Sequence, residues 1–287
     1  MALELLFLGT GTSAGVPMIG CDCPVCTSDD PRDRRHRCSV LVSHPAEPGD
    51  DVDRRQWLID TSPELRMQAI DHGIARLDGV LFTHAHADHI FGLDDLRRFN
   101  AVMGTPLDIY AERRVLDQLG RMFPYIFQPQ GNVNKSFIPT LLPQEIHAGR
   151  PLDLPGAEWT PLRLMHGRLP ILGYRVDRGG CSLAYCTDVS RIEPETLEQL
   201  QGLDLLVIDA LRYRHHPTHM TVDQALDVVD HLAPKRALLT HIAHDILHAD
   251  LAERLPEGVE LAWDGLKVVL EEEAGEVAST DPDHQEA

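Results

Sequence analysis

The sequence predicts an α/β chain of the α+β kind, in which two β-sheets pack face to face and helices cover their outer faces. Two observations predict it. Short apolar runs of strand length recur in both halves of the chain, interleaved with helical stretches, and such elements bury their apolar faces best as stacked layers. The second is a run of ligand-type side chains, Thr83-His84-Ala85-His86-Ala87-Asp88-His89, placed directly after the apolar run Gly79-Val80-Leu81-Phe82. A strand end is a stiff support, and the turn after it can aim several side chains at one point. Of the 287 residues, 1–270 read as a single domain and 271–287 as an acidic, disordered tail.

The elements follow in order. Leu3 to Leu8 is a compact apolar strand, broken by Gly9-Thr10-Gly11-Thr12-Ser13-Ala14-Gly15-Val16-Pro17. This stretch lacks both the G-x-G-x-x-G spacing and the Lys-Ser/Thr ending of a phosphate loop, so it reads as a tight turn letting backbone pass close by. Cys21-Asp22-Cys23-Pro24-Val25-Cys26 comes next, then a charged loop from Pro31 to Arg37 and a strand from Cys38 to Ser43. Pro45 to Arg54 is a polar hairpin loop that returns through Gln56-Trp57-Leu58-Ile59-Asp60. Asp60, ahead of Thr61-Ser62-Pro63, is expected to cap a helix running to about His72 and to support the ligand motif from behind.

Beyond the motif, Leu93 to Met103 reads as a helix, Leu107 to Tyr110 as a strand and Glu112 to Met122 as a helix. Phe123 to Gly149 is a long connection, read either as a flap over the site or as an excursion with its own small hairpin. Strands return at Glu158 to Leu164, Leu172 to Asp177 and Ser182 to Cys186. Helices at Pro194 to Leu200 and Thr221 to Leu232 then alternate with strands at Leu205 to Asp209 and Arg236 to Thr240. A helix around His248 to Leu255 and strands near Glu260 to Ala262 and Lys267 to Leu270 close the domain.

Composition narrows the functions available. The hydrophobic fraction of 43% is ordinary for a globular chain with a sizeable core. The start of the chain lacks a basic n-region, and no apolar run approaches the ~20 residues a membrane helix needs, so a cytoplasmic protein with no membrane partner is expected. The net charge of −19 argues against a nucleic-acid partner, which asks for a basic footprint. Seven acids lie in the tail, and the rest of the chain still carries −12. Six cysteines in such a chain argue against a disulfide framework. Cys38, Cys181 and Cys186 sit in apolar, strand-like surroundings and read as core packing.

The chemistry is carried by histidines, aspartates and the other three cysteines. Imidazole and carboxylate suit zinc, manganese, iron or nickel. Four such groups, His84, His86, Asp88 and His89, exceed what one catalytic ion usually takes from a single loop, so a two-metal site is expected. More ligands are then needed. His166, Asp188 and His241 each follow an apolar strand, although each alone is compatible with an ordinary polar residue. Cys21, Cys23 and Cys26 can hold one zinc ion if a fourth ligand comes from elsewhere. Arg212-Tyr213-Arg214-His215-His216-Pro217-Thr218-His219-Met220-Thr221 supplies candidate proton donors just before a helix, with Thr221 as its N-cap.

His-x-His-x-Asp-His after a strand resembles the signature of the metallo-β-lactamase superfamily of binuclear hydrolases. The G-T-G-T-S opening, the C-x-C-x-x-C cluster and the later His241-Ile242-Ala243-His244 resemble the PhnP-type phosphodiesterases within it. The resemblance covers most of residues 1–270 and implies an αββα sandwich of two mixed sheets. It implies that His84, His86 and His166 hold one divalent ion, zinc or manganese, that Asp88, His89 and His241 hold a second, and that Asp188 bridges. It also implies a structural zinc on Cys21, Cys23, Cys26 and His244. His219-Met220-Thr221 is similar to the H-x-T segment of these enzymes and of RNase Z, which makes His219 the general acid. Asp88 is a candidate for catalytic work as well as a ligand. His215 and His216 are read as solvated neighbours, and Arg212 or Arg214 as a hold on substrate phosphate.

The expected activity is therefore hydrolysis of a small phosphodiester, cyclic ones included, by a metal-bridging hydroxide with His219 protonating the departing oxygen. Within the enzymes the rival is an RNase Z-like RNA-end nuclease, disfavoured by the acidic charge. A thioesterase leaves His219 without a purpose. A non-hydrolytic binding role like that of PqqB is the alternative from another class, and the intact ligand motif argues against it. Dimerisation is typical of the resembled enzymes, so a homodimer is the expectation.

Overall fold

The computed structural model describes residues 2–131 and 137–271. Of the expected tail, 271–287, Glu271 ends a strand and residues 272–287 lie outside the described residues. Six strands begin the first sheet: β1 (Ala2–Gly9), β2 (Ser39–Pro45), β3 (Arg54–Ile59), β4 (Gly79–Leu81), β5 (Leu107–Ala111) and β6 (Leu141–Glu145). The second sheet takes β7 (Leu152–Leu154), β8 (Ala157–His166), β9 (Leu169–Arg178), β10 (Cys181–Cys186), β11 (Arg191–Ile192), β12 (Leu205–Asp209), β13 (Arg236–Thr240) and β14 (Val259–Leu261). The last strand, β15 (Lys267–Glu271), returns to the first sheet and pairs antiparallel with β1.

Both sheets are mixed. The first runs β15-β1-β2-β3-β4-β5-β6, antiparallel up to β3 and parallel from β3 onward. The second runs β11-β8-β9-β10-β12-β13-β14, with β7 on the side of β8. Its parallel part, β10 to β14, is fed by helices on one face, as parallel crossovers require.

Between the sheets lies a core that includes Leu5, Phe7, Trp57, Trp159, Tyr174 and Val207. Trp57 and Trp159 meet across it with ring centroids 6.0 Å apart. Each such fully buried side chain contributes on the order of 1.5–3 kcal/mol. Two further apolar layers seat the helices outside. Over the first sheet these are α1 (Leu65–Asp71), α2 (Ala87–Ile90), α3 (Leu96–Met103), α4 (Arg113–Met122) and α5 (Pro124–Phe127). Over the second they are α6 (Pro194–Gln199), α7 (Val222–Leu232) and α8 (His248–Ala252). The αββα sandwich is the observed architecture. Cys38, Cys181 and Cys186 are buried, as their apolar surroundings suggest.

One expectation changes. The long connection from Phe123 to Gly149 contains no hairpin among the described residues. It carries α5 and then β6, which pairs parallel to β5 and widens the first sheet. A strand reading Leu-Leu-Pro-Gln-Glu lacks apolar alternation because it lies at the sheet edge, where most of it is exposed. As for the flap reading, residues 132–136 are outside the described residues, and Tyr125 just before them donates to Asp94 at 2.7 Å. The strand expected near Lys267 to Leu270 is present as β15, and its pairing with β1 joins residues far apart in sequence, which local pattern does not encode. No described helix is long and apolar enough to cross a membrane.

Candidate metal centre

Every residue singled out in the ligand motif stands at one end of the sandwich, where β4, β8, β10, β12 and β13 stop. The motif turn after β4 is tied across to the second sheet: Leu172 donates to the Thr83 carbonyl at 3.0 Å and Tyr174 Oη to the Phe82 carbonyl at 2.7 Å. Asp60, Asp188 and His241 end their strands with positive φ of 63°, 55° and 60°. The left-handed conformation is disfavoured for side chains with a Cβ, and here it turns each functional group sharply into the site. At the β8–β9 turn a glycine is needed. Gly167 has φ of 62°, and a Cβ there would meet the Thr218 methyl at 2.8 Å. That close approach allows the contact of 2.8 Å between His166 Nδ1 and the Thr218 carbonyl.

The side chains fall into two adjoining groups. His84, His86 and His166 bring ligand atoms within 4.8 Å of one another, and so do Asp88, His89, Asp188 and His241. His84 Nε2 and His86 Nδ1 are 2.9 Å apart. Asp188 stands between the groups, with Oδ1 3.2 Å from His89 Nε2 and Oδ2 3.3 Å from His241 Nε2 and 3.9 Å from His84 Nε2. This is the placement a bridging carboxylate needs. Both ring nitrogens of His241 and Nε2 of His89 are buried without a hydrogen-bond partner. Buried imidazole nitrogens are rarely left so, and a bound cation would take up one of them on each ring.

Electrostatics agree with cation binding. Burial pushes His84, His241 and His166 below the ordinary histidine value, His166 to about 4, and so favours the neutral rings that ligate metals. Burial opposes ionisation of Asp88 and Asp188, but neighbouring histidines, chiefly His89 for Asp88 and His241 for Asp188, override it and hold both carboxylates low. His89 goes the other way. Burial disfavours its charge, yet Asp188, Asp88 and Asp60 together raise it well above the usual value.

Asp60 is a correction. It caps no helix: the N-cap position of α1 is Glu64, and no side-chain cap bond is made there. Asp60 is fully buried and accepts from Thr83 N and Oγ1, each at 2.8 Å, while His89 Nδ1 lies 2.7 Å away. Its role as a support from behind holds, and it fixes which nitrogen of His89 faces the cluster.

His219 enters from the loop before α7. One of its ligand atoms lies within 4.8 Å of those of His166 and Asp188, and one lies likewise near Asp209 and His241. Asp209, at the end of β12, is fully buried with Oδ2 2.6 Å from His219 Nδ1. Sequence reasoning missed this partner. Its signal was available: an acid ending the apolar run Leu205-Leu206-Val207-Ile208, as Asp60 ends its own. Burial raises Asp209 well above the carboxylate range and lowers His219, so the pair is suited to share one proton. Thr221 is the N-cap of α7, completing a capping box with Gln224. His215 is exposed and His216 half-buried. Arg212 and Arg214 do not face the cluster: Arg212 bonds to carbonyls of its own loop, and Arg214 pairs with Asp245. A cavity of about 430 Å³ borders His219, with Arg168, Ser190, Arg191 and His216 in its wall.

The cysteine cluster is separate. His244 Nδ1 lies 3.3, 3.4 and 3.7 Å from the sulfurs of Cys21, Cys23 and Cys26. A tetrahedral zinc with bonds of about 2.3 Å to sulfur and 2.0 Å to nitrogen sets such separations near 3.5 Å, so the four groups fit one ion. The cluster joins the first loop to the loop after β13. Gly11 bridges both Arg37 and Ile242, and a Cβ on it would meet the Arg35 carbonyl at 2.7 Å. Buried Arg35 clamps the same junction, donating to the carbonyls of Ala243 and Ile246 and to Asp33.

Comparison with known proteins places this geometry. Residues 55–242 match the family described as Beta-lactamase superfamily domain. The chain is similar to a crystal structure of a diphosphatase from the PhnP family, with a TM-score of 0.83 and 41% identity over 94% of this chain and 98% of that one. It is 38% identical, over 98% of its length, to a Porphyromonas gingivalis protein named octanoyltransferase, of which it spans only 54%. Zinc-bound PqqB from Methylobacterium extorquens, at 20% identity, shares the fold with a TM-score of 0.72 over 92% of this chain and 99% of that one.

Proposed function

Because the chain belongs to the metallo-β-lactamase superfamily, we propose that this hydrolase cleaves small phosphodiesters, cyclic ones included, at a two-ion centre. His84, His86 and His166 hold one divalent ion, Asp88, His89 and His241 the other, and Asp188 reaches both. Zinc and manganese both suit this donor set. When bound, two such ions supply a nucleophilic water ionised near neutral pH and stabilise charge on phosphoryl oxygens.

The single observation that carries the reading is the Asp209–His219 contact at 2.6 Å beside the ligand groups. It leaves Nε2 of His219 as the free nitrogen, on a side chain that borders a cavity large enough for a small leaving group. Acyl transfer from a thioester has little need of a proton donor, because a thiolate departs unaided. Departure of an alkoxide from phosphorus benefits from one. The 41% identical PhnP-family diphosphatase supports phosphoryl over acyl chemistry. In this reading Asp88 acts as a ligand and not as the acid. Cys21, Cys23, Cys26 and His244 hold a structural zinc that staples the first loop to the His241 loop.

The test is turnover of metal-reconstituted wild type and His219→Ala on one panel: bis-(4-nitrophenyl) phosphate, a ribose 1,2-cyclic phosphate, 2′,3′-cyclic nucleotides, a glutathione thioester and an RNA with a 3′ trailer. Turnover of small diesters, diminished in the variant, supports the proposal. Turnover confined to the thioester and indifferent to His219 overturns it.

A further inference from the structure

We infer that Phe91 is a substrate-contact residue whose ring stacks on a nucleobase carried by the half of the substrate retained after cleavage. The inference rests on the phosphoryl hydrolysis proposed above and names its substrate class, nucleoside phosphodiesters. Its starting point is the turn that carries the ligand groups. Phe91 closes α2, donating its backbone N–H to the Ala87 carbonyl at 3.1 Å, so Ala87 and Phe91 lie one above the other on a single face. Asp88 and His89 turn into the ligand cluster and Ile90 into the core, whereas Phe91 is 54% exposed. An apolar ring is thus held in water two residues beyond His89.

The support beneath this ring is rigid. Gly92 donates to the Thr61 carbonyl at 3.0 Å, and Thr61 donates to the His89 carbonyl at 2.7 Å. A Cβ on Gly92 would meet the Ser62 carbonyl oxygen at 2.2 Å, so the chain passes this closely only as glycine. From the other side Phe123, where α4 ends, meets Phe91 edge to face, with ring centroids 6.2 Å apart at 88°. Such a contact covers one ring face at most, and Phe91 keeps the other open to solvent. Tyr125, two residues further, donates to Asp94 at 2.7 Å and ties α5 to the stretch after Phe91. Aromatic groups held this way form a shelf fixed by its surroundings.

Helix α4 joins the shelf to the metal centre. Its residues Arg114, Val115 and Gln118 stand against His84 and His86. Phe123 lies five residues beyond Gln118, about 7.5 Å along the helix axis, with exposed Met122 beside it. A sugar spans that gap, so a nucleoside whose phosphate is at the metal centre brings its base onto Phe91. The β8–β9 turn separates this side from the proton donor: Gly167 and Arg168 line the cavity beside His219, and Leu169 faces α4. The departing half belongs beside its donor, which leaves the base to the retained half. Every base presents a π-face, and stacking asks for no basic footprint, in keeping with the net charge of −19.

A matched pair of 4-nitrophenyl phosphodiesters tests this: one esterified to the 5′ oxygen of adenosine, the other to the same position of 1,4-anhydroribitol, which is the sugar without its base. The leaving group is identical, so only the base differs. Wild type is expected to favour the adenosine diester in kcat/KM by about tenfold or more, the worth of one base–aromatic stack. Phe91→Ala should bring that ratio close to one, chiefly by raising KM for the adenosine diester. Phe91→Leu, which keeps apolar bulk without a π-face, should lose most of the preference, and Phe91→Trp should keep or increase it. Melting temperature, bound metal and oligomeric state are measured on each variant. A wild type without preference, or an unchanged ratio in Phe91→Ala, overturns the inference and leaves the phosphoryl reading standing. An unchanged ratio together with a smaller assembly in that variant overturns it by assigning the ring to a contact between copies. If wild type cleaves neither diester nor the phosphorus substrates of the panel, both readings fall together.

Discussion

His219 Nδ1 and Asp209 Oδ2 lie 2.6 Å apart, and both side chains are buried. The carboxylate fixes the orientation of the ring and decides which of its nitrogens is free. General acid catalysis contributes roughly 10²–10⁴-fold in typical enzymes, and most where the leaving group is a poor one. His219→Ala is therefore expected to lower kcat/KM on an alkyl diester by at least about 100-fold, and on a 4-nitrophenyl diester by less than about tenfold. Asp209→Asn should show the same leaving-group dependence in milder form. Equal losses across leaving groups would assign the pair to the fold.

Asp60 makes a different prediction, about metal rather than protons. It orients His89 and ties it to Thr83, so Asp60→Ala leaves a ligand ring unheld. Loss of such a supporting contact typically weakens metal binding by about 10–100-fold. Competition with a chelator, read as metal per chain, checks this. The cysteine-bound zinc should be retained in the same sample.

The cysteine site predicts proton release. A hydrogen bond from the Cys26 backbone heads the causes that lower Cys23 to about 6, whereas burial pushes Cys26 up to about 11. At pH 7.5 Cys26 therefore holds its proton until zinc displaces it. Zinc added to the metal-free chain in weak buffer should acidify an indicator dye, and Cys26→Ser should release fewer protons. That variant should also melt roughly 6–12 °C lower, the shift expected from a loss of about 3 kcal/mol.

Acid stability turns on His248. Burial lowers its pKa to about 4, and its Nδ1 is buried without a partner. The folded value lies below the unfolded one, so the unfolded chain takes the proton first as pH falls. Stability from this group is intact above about pH 6.5 and is lost progressively towards pH 4. His248→Phe, whose ring can keep the edge contact with Trp263, should flatten this part of the pH–melting curve. An unchanged slope would place the acid sensitivity in other histidines.

Much of the fold was legible because its signals are local. Apolar runs ending in Asp60, Asp188, Asp209 or His241 mark where strands stop, and the motif from His84 to His89 marks the site. Edge strand β6 escaped notice because an exposed strand needs no apolar alternation, and the assignment of Asp60 to a helix cap failed because capping and buried support look alike in one dimension.

By itself the sequence determined the residue types, their order at strand ends, the two-sheet architecture and the cysteine cluster with its distant histidine. Tertiary structure alone decided other meetings. It brought Asp209 to His219, β15 to β1, and Arg35 to the carbonyls around His244. The physical reason is that spacing along the chain encodes local periodicity, whereas proton sharing and charge balance depend on distances of a few ångströms between segments that only packing brings together.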